Sequence, residues 1–165
     1  MLFRSGLFHL VRGGDDGLWI LSAGKVATLR HGELSPANLE GEAADIYVQG
    51  LARSRRGGMW VASNGRLRRW SGTAWAEDLG EAPWGMAALV NLIETKEGFL
   101  AAATSEQGLY LVGPESEVLH FNRMNGFPSD WLRCLYEDRE GNLWIGAGGS
   151  GLAVEIGRAS GRERV

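Results

Sequence analysis

Residues 146 to 151, Gly146-Ala147-Gly148-Gly149-Ser150-Gly151, spell G-x-G-x-x-G after an apolar run, the spacing with which a glycine-rich loop cradles a pyrophosphate. That chemistry needs a helix N-terminus immediately after the loop. Here Leu152-Ala153-Val154-Glu155-Ile156 follows, a short apolar run that reads as a strand, so a connection between strands is expected instead. His9, His31 and His120 do not stand at metal-ligand spacing, and no metal site or cofactor is expected. Cys134 is the one cysteine. It rules out an internal disulfide framework, and its place in an apolar strand predicts a small buried hydrophobe. Asp15, Asp16 and Asp138 lie in short polar stretches where a carboxylate satisfies backbone donors rather than acting as acid or base. Arg53, Arg55, Arg56, Arg66, Arg68 and Arg69 make a basic cluster that would suit an acidic partner or phosphate groups. The chain carries a formal net charge of −3 and no recognition helix or repeated stacking motif. A solvated surface is therefore expected, with no nucleic-acid partner.

The elements that must position these groups come from a repeat. Leu132 to Gly146 can be laid over three earlier stretches, and the positions equivalent to Trp144 are Ala101, Trp60 and Trp19, at intervals of 43, 41 and 41 residues (144 − 101, 101 − 60, 60 − 19). A period of roughly 40 to 45 residues built from short strands signals a propeller blade. Each copy opens with an apolar segment (Leu7 to Arg12, Val48 to Arg53, Leu89 to Glu94, Leu132 to Glu137), all with Leu fourth. A polar turn follows, as in Asp138 to Asn142, where Asp bonds its own backbone and Gly141 takes positive φ. A second strand follows, then a third after Gly24, Gly65, Gly108 or Gly151, and an outer strand clearest at Glu117 to Phe121. Four strands per unit is the blade pattern. The fold predicted is all-β, a β-propeller portion of four four-stranded antiparallel blades at about 7–40, 48–80, 89–122 and 132–156, with little or no helix. Blades must stack to bury both faces, so residues 1–156 are one domain. Residues 157–165 carry three Arg where an outer strand belongs and are expected to be a disordered or artificial tail. The fourth blade then lacks an outer strand, which predicts an open arc of a larger propeller. Trp19, Trp60 and Trp144 are expected to fill the space between blades. Ala101 removes an aromatic volume worth ~3 to 5 kcal/mol in a packed core, which Trp84 or Phe99 would replace.

In a propeller, the loops between second and third strands and those leading to the next blade share one face of the central channel. The sequence places Trp84, Trp131, Asp130, Asn125, Asp45, Asn64, Glu106 and Gln107 there. Aromatic platforms among hydrogen-bonding groups suit a sugar or peptide; Trp84 and Trp131 would alternatively cap blade junctions. With 44% hydrophobic and 22% charged residues the composition is that of a globular domain. No targeting segment or membrane span is read from the sequence.

From Phe121 to Leu152, the residues Phe121, Gly126-Phe127-Pro128-Ser129, Leu132, Asp138, Gly141 to Gly146 and Gly151-Leu152 resemble the two-component regulator propeller repeat. Its usual form runs from a Gly-Leu-Pro-like loop to Asp-x-x-Gly-Asn-Leu-Trp-Ile-Gly-Thr, with Ala147 here in place of the last Thr. The first two copies keep only Gly-x-Trp, and the third lacks the Trp. The resemblance implies a sensory propeller outside the cytoplasmic membrane, periplasmic or extracytoplasmic, joined in its parent to a histidine kinase or other output module. The function expected is non-enzymatic ligand capture at the channel face, with the remaining blades and the output module as partners. The alternatives are a fragment of a propeller enzyme, a lyase or glycoside hydrolase, and a protein-interaction scaffold.

Overall fold

The computed structural model describes residues 8–14, 17–39, 46–149, 153–157 and 162–164, with side chains between 9 and 149. Asp15, Asp16, Asp45, Ser150 to Leu152 and residues 158–161 and 165 lie outside the described residues. Two compact units divide the chain, Met1–Gly85 and Met86–Val165.

The first unit holds two four-stranded antiparallel sheets. One is β1 (Phe8–Arg12), β2 (Leu18–Ser22), β3 (Lys25–Arg30) and β4 (Glu33–Pro36); the other is β5 (Val48–Arg53), β6 (Met59–Ser63), β7 (Arg66–Trp70) and β8 (Trp75–Glu81). The second unit repeats the plan with β9 (Leu89–Glu94), β10 (Leu100–Thr104), β11 (Leu109–Val112) and β12 (Val118–Phe121), then β13 (Leu132–Glu137), β14 (Leu143–Ala147), β15 (Ala153–Gly157) and β16 (Arg162–Arg164). Each sheet is a meander in sequence order. The fold is all-β, and the one helical element among the described residues is a 3-10 turn at Arg123–Asn125.

One turn chemistry recurs at the start of each sheet. Gly13, Ser54, Thr95 and Asp138 stand at equivalent positions, and each donates its N–H to the carbonyl four residues on, at 2.7, 3.1, 2.8 and 3.0 Å. Gly57, Gly98 and Gly141 complete the later three turns with φ of 87°, 87° and 89°, a region that costs an L side chain about 1 to 2 kcal/mol. A second recurrence lies at the other end of the first strand. Ladder register shifts leave Gln49, Val90 and Arg133 as extra residues between Val48 and Gly50, Leu89 and Asn91, and Leu132 and Cys134. Such a bulge re-aims the side chain it carries.

Strand alternation gives each sheet two apolar faces. In the first unit, Trp19, Leu21 and Val26 of the first sheet pack with Val48, Leu51, Met59, Val61 and Trp70 of the second. In the second unit, Ala101, Ala103, Leu109 and Leu111 pack with Leu132, Leu135, Leu143 and Ile145. Ala101 shares its cluster with buried Phe127, and Phe99 and Phe121 pack against the same cluster. Phe99 was one expected replacement. Trp84, the other, is buried in the first unit and takes no part in this cluster.

One expectation changes. Cys134 is exposed rather than buried: it stands with Tyr136 on the face of β13 opposite Leu135, and that face is exposed in the fourth sheet. Trp144, in the fourth sheet, is 39% exposed. Gly157 ends β15 and Arg162–Arg164 form β16, which pair as Glu155↔Arg164, Ile156↔Glu163 and Gly157↔Arg162. A ladder is made by backbone groups, so it forms there without the apolar pattern that marks the other outer strands.

Candidate functional site

The candidate ligand-binding residues fall in both units. In the first, Asn64 turns β6 into β7 at a φ of 47°, and its side-chain carbonyl accepts the Tyr47 N–H at 3.1 Å. Its own N–H donates to the Tyr47 carbonyl at 3.0 Å, so Asn64 closes the mouth of its own sheet. Trp84 is buried and offers no face to a ligand. The side chain that does most at this end was not singled out by sequence: buried Gln49, on the bulge, accepts the Gly65 N–H at 2.9 Å and donates to the Gly85 carbonyl at 3.0 Å.

In the second unit the expected residues come together. Glu106 and Gln107 form the turn from β10 to β11, and Asp130 and Trp131 end the loop from β12 to β13. The two segments are tied by the Gly108 N–H donating to the Asp130 carbonyl at 2.9 Å. The Trp131 carbonyl in turn accepts the Gly148 N–H at 2.7 Å, bringing in the turn after β14. Arg133, on its bulge, reaches over Gly148, where an added Cβ would lie 3.0 Å from its Nε. Along this edge Glu106 and Gln107 are exposed, and Trp131 is 59% exposed.

Local chemistry fixes the edge. Asn122 caps the 3-10 turn reciprocally with Asn125, which answers the expectation for Asn125: it is spent on the loop, its side-chain amide also donating to the His120 carbonyl. Gly126 closes the turn at a φ of 95°, and Phe127 anchors it in the core. The Asp130 carboxylate accepts the Arg123 N–H at 2.7 Å. The Gln107 side-chain carbonyl accepts the Tyr110 hydroxyl at 3.1 Å, and its backbone carbonyl lies 2.7 Å from His120 Nε2. The His120 ring stacks on Tyr110 at 3.9 Å and 8°. Gln107 keeps its amide nitrogen, Trp131 its indole face and Arg133 its guanidinium toward the outside, a set able to bind a polyhydroxylated or amide-rich ligand.

The remaining candidates are structural. Glu77 receives Arg56 at 2.7 Å and Arg69 at 3.2 Å, Asp78 receives Arg66 at 2.8 Å, and the Arg68 guanidinium lies 4.1 Å from the Trp75 ring centroid. The basic cluster is thus largely matched by its neighbouring strand β8. Burial raises the pKa of Asp78, but the hydrogen bonds from Arg66 and the Gly80 N–H prevail and hold it below the usual range. Among the described residues no cluster of three His, Cys, Asp or Glu could hold a metal, and no helix is long and apolar enough to cross a membrane. The glycines at 146, 148 and 149 run from β14 toward strand β15, without the helix a pyrophosphate would need.

Asp138 is the keystone of its hairpin. Its carboxylate accepts Trp144 Nε1 at 2.8 Å, the Asn142 side-chain amide at 2.9 Å, and the N–H groups of Asn142 at 2.8 Å and Glu140 at 3.0 Å. The Trp144 hydrogen bond first, and the Asn142 and Glu140 bonds with it, outweigh burial and bring its pKa down to about 2. A depressed carboxylate pKa stabilises the fold above the unfolded value, and that support is lost as pH falls through the folded one. The Trp144 indole N–H resonance, assigned with Trp144→Phe, should therefore hold steady from neutral pH to about 4 and titrate with a midpoint at about 2; a midpoint in the ordinary carboxylate range would mean that the network does not form.

Four meanders of four antiparallel strands are blades of a β-propeller. Solved propellers match the chain over most of its length. Virginiamycin B lyase from Staphylococcus aureus, in a catalytically inactive form with quinupristin, gives a TM-score of 0.72 at 13% identity, over 96% of this chain and 55% of that one. The extracellular domain assigned to a hybrid two component system of B. thetaiotaomicron gives 0.63 at 17%, over 84% and 20%. PorZ, a bacterial surface component of the type-IX secretion system of Porphyromonas gingivalis, gives 0.65 at 18%, over 94% and 27%. At such identities the likeness is one of fold. The chain spans about half the length of the lyase and a fifth of the extracellular domain. No curated protein matches the sequence. Residues 126–149 match the two component regulator propeller family. The matched segment runs from the Gly126 loop through the β13–β14 hairpin of the fourth sheet.

Proposed function

We propose that this chain is the ligand-sensing portion of a bacterial two-component-type signalling protein, acting by binding rather than catalysis, in a parent whose propeller lies outside the cytoplasmic membrane. The observation that carries this reading is the family match at residues 126–149, because the matched segment holds Asp130, Trp131 and Arg133, the exposed edge of the second unit. The likeness to extracellular domains of hybrid two component systems supports the location. A small polar ligand, an oligosaccharide or a short peptide, would stack on Trp131 and bond to Gln107 and Arg133. Its differential affinity for two arrangements of the blades would be what an output module of the parent, such as a histidine kinase, reads.

A thermal-shift panel of neutral oligosaccharides and short peptides tests the proposal. A ligand at a hundred times its Kd stabilises the folded state by about 2.7 kcal/mol. Trp131→Ala should abolish that shift while altering the unliganded stability by no more than about 0.5 kcal/mol, as for an exposed side chain. A panel without any shift would favour a scaffold, and turnover of an oligosaccharide seen by chromatography would favour an enzyme; either outcome overturns the proposal.

A further inference from the structure

The residue that leads into the first strand holds one backbone position in three sheets. Tyr47, Ala88 and Trp131 each accept, through the main-chain carbonyl, an N–H from the turn between the second and third strands of their own sheet: Asn64 at 3.0 Å, Ser105 at 3.0 Å and Gly148 at 2.7 Å. Two of the three are aromatic and open, Trp131 at 59% and Tyr47 at 52% exposure. Trp131 belongs to the edge already described. Tyr47 lies in the first unit and takes no part in the buried cluster there.

The surroundings of Tyr47 fix it in place. Its N–H donates to the Asn64 side-chain carbonyl at 3.1 Å, and the following Val48 N–H donates to the Gly24 carbonyl at 2.9 Å, which draws the turn between β2 and β3 against it. The Tyr47 ring fills the space that a Cβ on Gly24 would take, and Gly24 holds a φ of 74° that suits glycine. A side chain seated in this way has little rotamer freedom left to lose when a ligand arrives. The rest of the ring is open. Beside it Asn64 is exposed; its carbonyl oxygen is engaged by Tyr47, and its amide hydrogens have no partner among the described residues. A fixed aromatic surface next to an amide donor matches a sugar ring, whose apolar C–H face packs on the aromatic while its hydroxyls accept from the amide. We infer that Tyr47 and Asn64 form a second saccharide-binding site, in the first unit and separate from the Trp131 edge. It goes beyond the sensing site proposed above and needs neither Trp131 nor the family match. With one amide beside its platform, where Gln107 and Arg133 both accompany Trp131, it fills only at sugar concentrations well above those that saturate that edge.

Titration of the isotope-labelled chain with cellopentaose, maltopentaose and xylopentaose, followed through the Tyr47 ring and Asn64 side-chain amide resonances, tests the site. At least one sugar should move both sets of signals along a single saturating curve. Tyr47→Ala should weaken that curve, read from the Asn64 amide, by about tenfold or more, the scale of a lost aromatic contact. Asn64→Asp keeps the acceptor for the Tyr47 N–H and removes the amide donor, and should weaken it by about two- to tenfold. Both positions are exposed, and backbone amide spectra unchanged elsewhere show that the variants fold. Trp131→Ala should leave the curve in place even where it removes a thermal shift, so failure at one site is told from failure at the other. The inference is overturned if no sugar moves the Tyr47 signals up to its solubility limit, or if Tyr47→Ala binds as tightly as the unaltered chain. It is also overturned if Trp131→Ala abolishes the Tyr47 response, which would mean a single site.

Discussion

Ile145→Ala is expected to destabilise the Met86–Val165 unit by about 2 to 5 kcal/mol, the range for removing a fully buried aliphatic side chain where neighbours cannot collapse into the gap. Ile145 is completely buried, and it lies in the cluster that joins its own sheet to the preceding one through Ala101, Ala103, Leu109 and Leu111. The alanines leave no spare side-chain length with which to fill the space. Urea unfolding should show a lower midpoint at an unchanged slope, the sign of lost stability rather than a changed unfolded state. A loss under about 1 kcal/mol, the scale of a single methylene, would mean that the two sheets of this unit are not packed on each other through Ile145.

Gly108→Ala is the second substitution expected to be severe, for a backbone reason. Gly108 sits at a φ of +82°, and an added Cβ would be driven into the Phe121 carbonyl oxygen. The left-handed conformation costs about 1 to 2 kcal/mol for an L side chain and the collision about 1 to 3 more, so a loss of about 2 to 5 kcal/mol is expected from chemical unfolding. Gly126 is the control. Its φ is +95° with nothing within 4 Å of an added Cβ, so Gly126→Ala should show only the conformational part, about 1 to 2 kcal/mol. Equal losses at the two positions would contradict the close approach of β11 to the end of β12. Because the Gly108 N–H holds the Asp130 carbonyl at 2.9 Å, the same variant should weaken any ligand effect that depends on Trp131.

The architecture was legible because the blade repeat is written in residues that answer to local physics. Gly57, Gly98 and Gly141 recur where the first hairpin needs positive φ, and Leu51, Leu92 and Leu135 recur where the first strand turns inward. The bulges at Gln49, Val90 and Arg133 were not legible. They are carried by three unrelated side chains, since a bulge is a matter of ladder register and demands no residue type. That omission accounts for overlooking Gln49 and Arg133 at the candidate site, whereas Cys134 is exposed because it shares the exposed face of β13 with Tyr136. Loop residues could be assigned to one end of the blades but not to one another. Gln107 and Asp130 meet through the Gly108 amide, while Trp84 turns into the core and Asn64 closes its own sheet, outcomes decided by tertiary contacts. The residues of β16, Arg162–Arg164, carry no apolar pattern that sequence could read as a strand.

The claim beneath all of this is that one hairpin register is used four times, with Val11 opposite Trp19, Ala52 opposite Trp60, Ile93 opposite Ala101 and Tyr136 opposite Trp144. Nuclear Overhauser contacts across strands in the isotope-labelled chain measure it directly. All four pairs should give long-range backbone contacts in equivalent positions. A register offset by one residue in any copy, or helical sequential contacts through residues 132–147, would contradict the account.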